Sequence, residues 1–191
     1  MADEARLEAV DSGLTPASEG WFVVNVRDAA WLRNDAFGAR CVFEADVPVV
    51  RSRPDLEPHQ FPELGFRLAV LAPGTPGTLY HADSRQEDFL VLAGECLLLI
   101  EGEERELRAW DFFHCAPGTA HAFVGAGERP CVLLMTGSRA GERSVVYRES
   151  EVAQRHGAGA ETETSSADEA YAASPHWQLG RPEGWDRLPW A

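Results

Sequence analysis

Three side chains that could bind a metal ion lie close together in the stretch LYHADSRQEDFLVLAG, residues 79–94. His81 and Asp83 are two positions apart, so on a β-strand both side chains project from the same face, about 6.6 to 7 Å apart. Glu87 lies just beyond a short polar turn, where the chain can fold back beside them. Imidazole and carboxylate groups in such a cluster form either a metal site or a polar patch whose members satisfy one another.

A further candidate ligand, His121, follows forty residues after His81. It lies two residues after Thr119 of the sequence Pro117-Gly118-Thr119, which predicts a tight turn because proline fixes φ and glycine supplies conformational freedom. Two histidines on neighbouring strands of a closed sheet can face one point. We therefore group His121 with the first cluster.

The strands that would position these residues are indicated by the regular pattern after Phe66. Short apolar runs alternate with turns that contain glycine, proline and acidic residues, and no apolar period of 3.6 residues lasts long enough for a helix. This pattern predicts an antiparallel sandwich or barrel of six or seven strands. The runs are FRLAVLA, TLYHA, EDFLVLA, CLLLIE, RELRAWDFFHCA, AHAFVG and CVLLMTG.

The two clusters resemble the paired motifs of the cupin family, over residues 66–137. The first family motif has a Gly, then His-x-His, a Glu three or four residues later, and a Gly seven residues after the Glu; the second has a Pro-x-Gly-x-x-His type of turn. The matching residues are Gly74 or Gly77, His81, Asp83, Glu87 and Gly94 in the first motif, and Asp111, Pro117, Gly118 and His121 in the second. The departures include Asp83, which stands in place of the second histidine, and Trp110, which stands in place of the glycine that usually precedes Asp111.

The resemblance implies an all-β fold, a single double-stranded β-helix of the jelly-roll or cupin-barrel kind, with extended N- and C-terminal arms. It also implies one divalent transition metal ion, namely iron, manganese, zinc or nickel, held by His81, Glu87 and His121. Asp83 would be either a fourth oxygen ligand or a group that orients an imidazole. A metal-free polar core, with both histidines hydrogen-bonded to Asp83 and Glu87, is the alternative.

Three functions stay open at this level. The first is a metal-dependent enzyme that acts on a small organic molecule in the barrel, as a dioxygenase (an oxidoreductase) or an isomerase, because no Ser or Cys has the surroundings of an activated nucleophile. The second is a non-catalytic module that binds a metal or a small molecule. The third is a partner-binding protein in which the barrel is only a scaffold.

Several other polar residues have two interpretations each. His114 is either an inward-facing residue near the metal or a buried histidine satisfied by the backbone. Arg67, Tyr80 and Arg85 either line the barrel and bind an anionic ligand or lie on the surface. Cys96, like Cys115, is expected to be a packing residue, since nothing electropositive lies near it in sequence.

The flanking segments define three regions. Residues 1–20 form an acidic N-terminus that we expect to be flexible, and residues 21–150 form the barrel domain with its N-terminal arm strands. Residues 151–191 form a linker followed by a tail with three tryptophans, which either straps onto the barrel or a neighbouring subunit, or is a partly ordered end.

Within the N-terminal arm, WFVVNV at 21–26 and ARCVFEA at 39–45 are predicted strands, and residues 27–38 between them a turn of helix or a loop. The segment 47–65 contains four prolines, which predicts an extended, irregular connector. The spare arm strands favour a homodimer whose sheets are completed across a two-fold axis.

Composition excludes several function classes. The net charge of −14 would repel a phosphate backbone, so nucleic acid is not an expected partner. No apolar run is long enough for a membrane span, and the N-terminus has no basic leader, so a cytoplasmic location is the default expectation. All 17 basic residues are arginines, which removes lysine chemistry, and the four cysteines form no CxxC pair, which makes a disulfide framework improbable.

Overall fold

Antiparallel strands make up most of the molecule. The computed structural model describes residues 3–190. Its strands are β1 Leu7–Val10, β2 Gly13–Pro16, β3 Trp31–Asn34, β4 Gly38–Val42, β5 Leu64–Leu71, β6 His81–Asp83, β7 Glu87–Ala93, β8 Glu95–Ile100, β9 Glu103–Arg108, β10 Phe112–Cys115, β11 Ala120–Ala126, β12 Cys131–Ser138, β13 Val145–Tyr147 and β14 Gln178–Leu179. The helices are α1 Val47–Ser52, α2 Glu151–Arg155 and α3 Ala167–Ala170, with a 3₁₀ turn at Trp185–Arg187.

Two facing sheets form the barrel. One has seven strands in the order β10-β7-β12-β5-β4-β3-β14, and the other has five in the order β13-β6-β11-β8-β9. A two-stranded hairpin, β1 with β2, lies beside them. The chain crosses repeatedly between the two sheets, as in a double-stranded β-helix, and the predicted all-β jelly roll is confirmed.

The main apolar core lies between the two sheets. Phe89, Val91 and Leu133 enter it from the seven-stranded sheet, and Leu98 and Phe123 from the five-stranded sheet. Burial of such side chains is the main favourable contribution to folding. Cys96 and Cys115 also pack in this core, and all four cysteines are buried free thiols, as expected.

The predicted run RELRAWDFFHCA is two strands rather than one. β9 ends at Arg108 and β10 begins at Phe112, and the chain passes from one sheet to the other between them. Trp110 lies in this turn with φ +77°, a left-handed conformation that non-glycine residues rarely adopt. The carboxylate of Asp111 accepts a hydrogen bond from the Arg108 N–H at 2.9 Å and closes the turn.

Two predictions about the N-terminal arm are wrong. Residues 21–26 form no strand, because Val23 is exposed while Val24 and Val26 pack against a core formed by other strands. The strand instead is β3, within the segment predicted as helix or loop. β3 pairs with β4 through a tight turn in which the Asn34 side chain accepts a hydrogen bond from the Ala36 N–H at 2.8 Å.

The proline-rich connector contains one helix that the prolines did not predict. Pro48 lies in the first turn of α1, where a backbone N–H has no helical partner and proline is tolerated. The Asp46 side chain caps this turn by accepting from the Val47 N–H at 2.7 Å. Val49 is fully buried and anchors the helix. Residues 53–63 are irregular, as expected.

The N-terminal segment, expected to be flexible, folds as the β1–β2 hairpin; residues 1 and 2 lie outside the described part of the chain. The hydroxyl of Ser12 accepts a hydrogen bond from the Trp31 N–H at 3.0 Å, and Thr15 is fully buried. These contacts tie the hairpin to β3.

The tryptophan-rich tail lies on the barrel of its own chain. Trp185 and Trp190 pack against the buried ring of Trp31, with centroid distances of 5.5 and 5.3 Å. Trp177 stacks under the guanidinium of Arg40 at 4.1 Å. β14 extends the seven-stranded sheet beside β3, so the tail is part of the fold.

Among residues 3–190, no helix has the length and apolar content that crossing a membrane requires.

Candidate metal centre

Strand pairing brings the two histidines together. His81 in β6 and His121 in β11 are direct partners in the five-stranded sheet, and their ring centroids are 5.1 Å apart. Both side chains are buried. The antiparallel register of β6 and β11 therefore places side by side two residues that are forty positions apart in the sequence.

Glu87 reaches the histidines from the other sheet. It is the first residue of β7, and its Oε2 lies 3.6 Å from Nε2 of His121. One ligand atom from each of His81, Glu87 and His121 lies within 4.8 Å of the other two. The structure thus brings together three of the four residues predicted as metal ligands.

The backbone fixes which imidazole nitrogens are available. Nδ1 of His81 lies 2.8 Å from the Leu79 carbonyl, and Nδ1 of His121 lies 3.1 Å from the Thr119 carbonyl. A carbonyl oxygen only accepts, so each Nδ1 carries the proton and each Nε2 keeps its lone pair. This is the arrangement in which metal-binding histidines are held by their surroundings.

Burial keeps both rings in the form that binds metals. It lowers the pKa of His121 to about 4, with a further contribution from the neighbouring His81. Burial also lowers the pKa of His81. At neutral pH both rings are uncharged, which is the protonation state that a metal ligand requires.

Glu87 has an oxygen that no group in residues 3–190 satisfies. Its Oε2 is buried and has no hydrogen-bond partner there. Burial, and then the negative charge of Asp83, raises the pKa of the Glu87 carboxyl to about 7, against the opposing effect of Arg143 and Arg67. A buried polar atom without a partner is uncommon. Two imidazoles and one such carboxylate are a donor set that suits a divalent transition metal ion.

Asp83, the fourth predicted ligand, lies outside this group. Its Oδ2 accepts from Nε of Arg143 at 2.6 Å, and its Oδ1 accepts from the Arg85 N–H at 2.9 Å. The Asp83 side chain is only 4% exposed, and the guanidinium of Arg143 compensates its buried negative charge. Arg143 was not identified from the sequence, because it lies in the SRAGERS loop after β12, away from both motifs.

The structure also shows where the other polar residues lie for which the sequence left two interpretations open. His114 is 55% exposed and bonds to Asp88 at 2.6 Å, so it fits neither interpretation and lies outside the metal group. Tyr80 is buried, and its hydroxyl accepts from the Gly102 N–H. Arg67 and Arg85 do line a cavity.

That cavity has a volume of about 450 Å³ and adjoins the metal group through Glu87. Strand β12 forms one wall, with Met135, Thr136 and Gly137. Its charged lining consists of two carboxylates and four arginines: Asp83, Glu87, Arg67, Arg85, Arg139 and Arg143. A volume of this size accommodates a small organic molecule.

Comparison with known proteins finds one matching family, described as "Cupin domain", over residues 67–137. The polyketide cyclase RemF from Streptomyces resistomycificus is a solved structure with 15% identity and a TM-score of 0.50, over 80% of this chain and 92% of that chain. At this identity the likeness shows a shared fold. No curated protein matches the chain.

Other solved structures align over less of their length. A sugar phosphate isomerase from Silicibacter pomeroyi is 20% identical with a TM-score of 0.45, over 58% of this chain and 64% of that chain. An RmlC-like cupin from Shewanella frigidimarina is 18% identical with a TM-score of 0.41, over 72% of this chain and 86% of that chain. The chain thus spans just under two thirds of the length of the isomerase.

Proposed function

Because residues 67–137 are a cupin domain, we propose that this protein holds one divalent transition metal ion and acts on a small organic molecule in the adjoining cavity. His81, Glu87 and His121 would hold the ion. The observation that carries this proposal is the convergence of their three ligand atoms within 4.8 Å inside the barrel, with a buried Glu87 oxygen that lacks a partner.

The surroundings of the metal group support a water-poor site. The rings of Phe89, Phe113 and Phe123 lie 5.2, 6.0 and 6.1 Å from the ring of His121. These aromatic side chains limit access of water to one side of the histidines, and electrostatic interactions are stronger in such surroundings. Access for a ligand is left on the side of Glu87, where the cavity lies.

A bound ion of this kind would supply either Lewis-acid polarisation of a substrate oxygen or a site for oxygen activation. The chain itself supplies positioning: the carbonyls of Leu79 and Thr119 fix the two imidazoles, and strand β7 fixes Glu87. We therefore propose an isomerase-like or dioxygenase-like reaction on a small organic molecule. Iron, manganese, zinc and nickel all suit the donor set.

A second candidate function, a non-catalytic module that binds a metal and a small molecule, is favoured by the state of the cavity carboxylates. Asp83 is held by Arg143, and Glu87 belongs to the metal group. Within the described cavity lining, these are the two carboxylates, so neither is a spare general base.

Metal analysis of purified protein tests the shared part of both functions. We expect about one divalent ion per chain in the wild type and a large loss in His121→Ala. The matched control is His114→Ala, which removes a histidine that is outside the metal group and half exposed, and should keep its metal. Equally low metal in the wild type and in His121→Ala would overturn the proposal.

Turnover separates the two functions. The metal-loaded protein would be tested for oxygen uptake and for product formation with a panel of diols, keto acids and phenols. Turnover that His121→Ala abolishes supports the enzyme, while metal-dependent binding without turnover supports the non-catalytic module.

A further inference from the structure

The cavity next to the metal group carries a local excess of positive charge in a strongly acidic chain. Four arginines line it against two carboxylates, while the whole chain has a net charge of −14. The four arginines differ in how fully the protein itself satisfies them, and that difference identifies the ones available to a ligand.

Arg139 is committed to the fold. Its terminal nitrogens lie 2.6 and 2.7 Å from the two carboxylate oxygens of Glu44, which is buried, and one of them also donates to the Phe61 carbonyl. The bidentate pair ties the segment between β4 and α1 to the end of β12, and the bond to Phe61 adds the irregular segment before β5. Arg139 therefore has little donor capacity left for a ligand.

Arg143 is only partly used. In residues 3–190 its Nε donates to Asp83, and its terminal nitrogens make no hydrogen bond. The Arg143 side chain is 53% exposed, so the guanidinium is anchored at one edge and accessible at the other. The role of Asp83 is thus to hold an arginine at the cavity.

Arg67 has a weak internal partner. Its ion pair among the described residues is with Asp46 at 4.0 Å, and Asp46 is already bonded to Arg40 at 3.1 Å. The Arg67 side chain is 43% exposed. Because Asp46 keeps its bond to Arg40, the Arg67 guanidinium can turn to a ligand without leaving this carboxylate unpaired.

Arg85 points independently to a missing acceptor. Its Nε is buried without a hydrogen-bond partner in residues 3–190, and a terminal nitrogen donates to the Gly141 carbonyl. A guanidinium carries five donors and no acceptor, so an oxygen-bearing anion is the kind of group that would satisfy it.

From these contacts we infer that Arg67, Arg85 and Arg143 form a binding subsite for an oxyanion, and that the cavity takes a small organic anion with a carboxylate or phosphate group. The charged group binds at the arginines, and the remainder of the molecule extends toward Glu87. The orientation toward Glu87 rests on the proposed function, whereas the arginine subsite stands without it.

Calorimetric titration tests this subsite with three probes: succinate, inorganic phosphate and the uncharged 1,4-butanediol, on both metal-loaded and chelator-treated protein at low ionic strength. We expect at least one anion to bind to both forms and the diol not to bind. Failure of both anions to bind, or binding of the diol as tight as that of the anions, would overturn the inference.

Variants assign the binding to the arginines. R67Q/R85Q should weaken anion binding about tenfold or more, because charge-assisted hydrogen bonds are lost. R105Q removes an exposed arginine of β9, paired with Glu103 and outside the cavity, and should bind as the wild type does. R67K/R85K keeps the charge, and its anion binding is measured instead if the glutamine variant does not fold. Unchanged binding in R67Q/R85Q would overturn the subsite.

Metal content measured on the same samples separates the two proposals. Loss of anion binding with metal retained supports the subsite specifically. Wild-type protein that binds metal but no anion overturns the subsite and leaves the metal proposal standing. Anion binding that depends on Arg67 and Arg85, in protein that takes up no metal even when a divalent ion is supplied, supports the subsite and contradicts the metal proposal.

Discussion

Glu87 is the residue at which the metal group and the cavity meet. It faces Nε2 of His121 on one side and lines the cavity on the other, and its side chain is 20% exposed. In the protein without metal, ionising this carboxyl is costly because burial and the charge of Asp83 oppose it. Metal ligation and stability are therefore linked at this side chain.

The pKa of Glu87 gives a prediction with a definite sign. A folded pKa of about 7, above the ordinary 4.5, contributes stability that is fully present below pH 4.5 and is lost as the pH rises through 7. Glu87→Gln cannot ionise and escapes this loss. Relative to the wild type, the chelator-treated variant should gain up to about 3 kcal/mol in free energy of unfolding between pH 4.5 and pH 8. Urea denaturation at both pH values measures it; a gain independent of pH would contradict the assignment.

Asp83 gives a second prediction at the same scale. Asp83→Asn should keep the metal, since Asp83 lies outside the metal group, but should lower the free energy of unfolding by about 1 to 3 kcal/mol because the bond to Arg143 is weakened. Asp88→Asn is the control, because it alters a carboxylate that pairs with the half-exposed His114. Metal analysis and denaturation decide it, and metal loss in Asp83→Asn alone would make Asp83 a ligand.

At the scale of the elements, the turn between β9 and β10 holds a conformation that its residue disfavours. Trp110 has φ +77° and is 74% exposed, so the turn forces a left-handed backbone while the ring gains little burial. Glycine adopts this conformation without the steric cost that a Cβ brings.

Trp110→Gly should therefore be more stable than Trp110→Ala by about 1 kcal/mol. Both substitutions remove the ring, so the comparison isolates the backbone conformation. Thermal or urea denaturation of the two variants measures the difference. Equal stabilities would show that the turn relaxes to another conformation.

The strands were predictable where a short apolar run is bounded by turn residues. β7, β8, β11 and β12 follow apolar runs bounded by turn residues, and the two motifs placed His81 and His121 on such strands. β3 was missed because its short run gains stability from burial of Trp31 and Leu32, which is a property of packing and not of local sequence.

The metal group and its surroundings were likewise predictable only in part. His81, Glu87 and His121 follow from motif spacing, which reflects strand register. The partner of Asp83 could not be predicted, because Arg143 is sixty residues away in a loop whose course depends on the assembled barrel. Likewise, nothing local distinguishes Arg67 and Arg85 at the cavity from surface arginines.

At the scale of the whole molecule, both ends of the chain fold onto one strand. The N-terminal hairpin bonds to Trp31 through Ser12, and the tail covers the same tryptophan with Trp185 and Trp190. This packing lies in a core separate from the one around the metal group. The homodimer expected from the arm strands stays a prediction, and a light-scattering mass of two chains would support it.

The tail gives a prediction at this scale. Trp185→Ala/Trp190→Ala should lower the free energy of unfolding by about 2 to 5 kcal/mol, because two large aromatic side chains leave the cluster around Trp31. Metal content should not change, since the cluster belongs to a core separate from the one around the metal group. Denaturation and metal analysis of the same preparation test both parts, and unchanged stability would show that the tail does not hold the barrel.

The central claim is that side chains from two sheets hold one cation inside the barrel. Anomalous diffraction from a crystal of the metal-loaded protein tests it most directly. We predict one strong peak about 2.0 to 2.2 Å from Nε2 of His81, Nε2 of His121 and a carboxylate oxygen of Glu87. A map with no anomalous peak among these three side chains, or a peak held by other residues, would contradict the account.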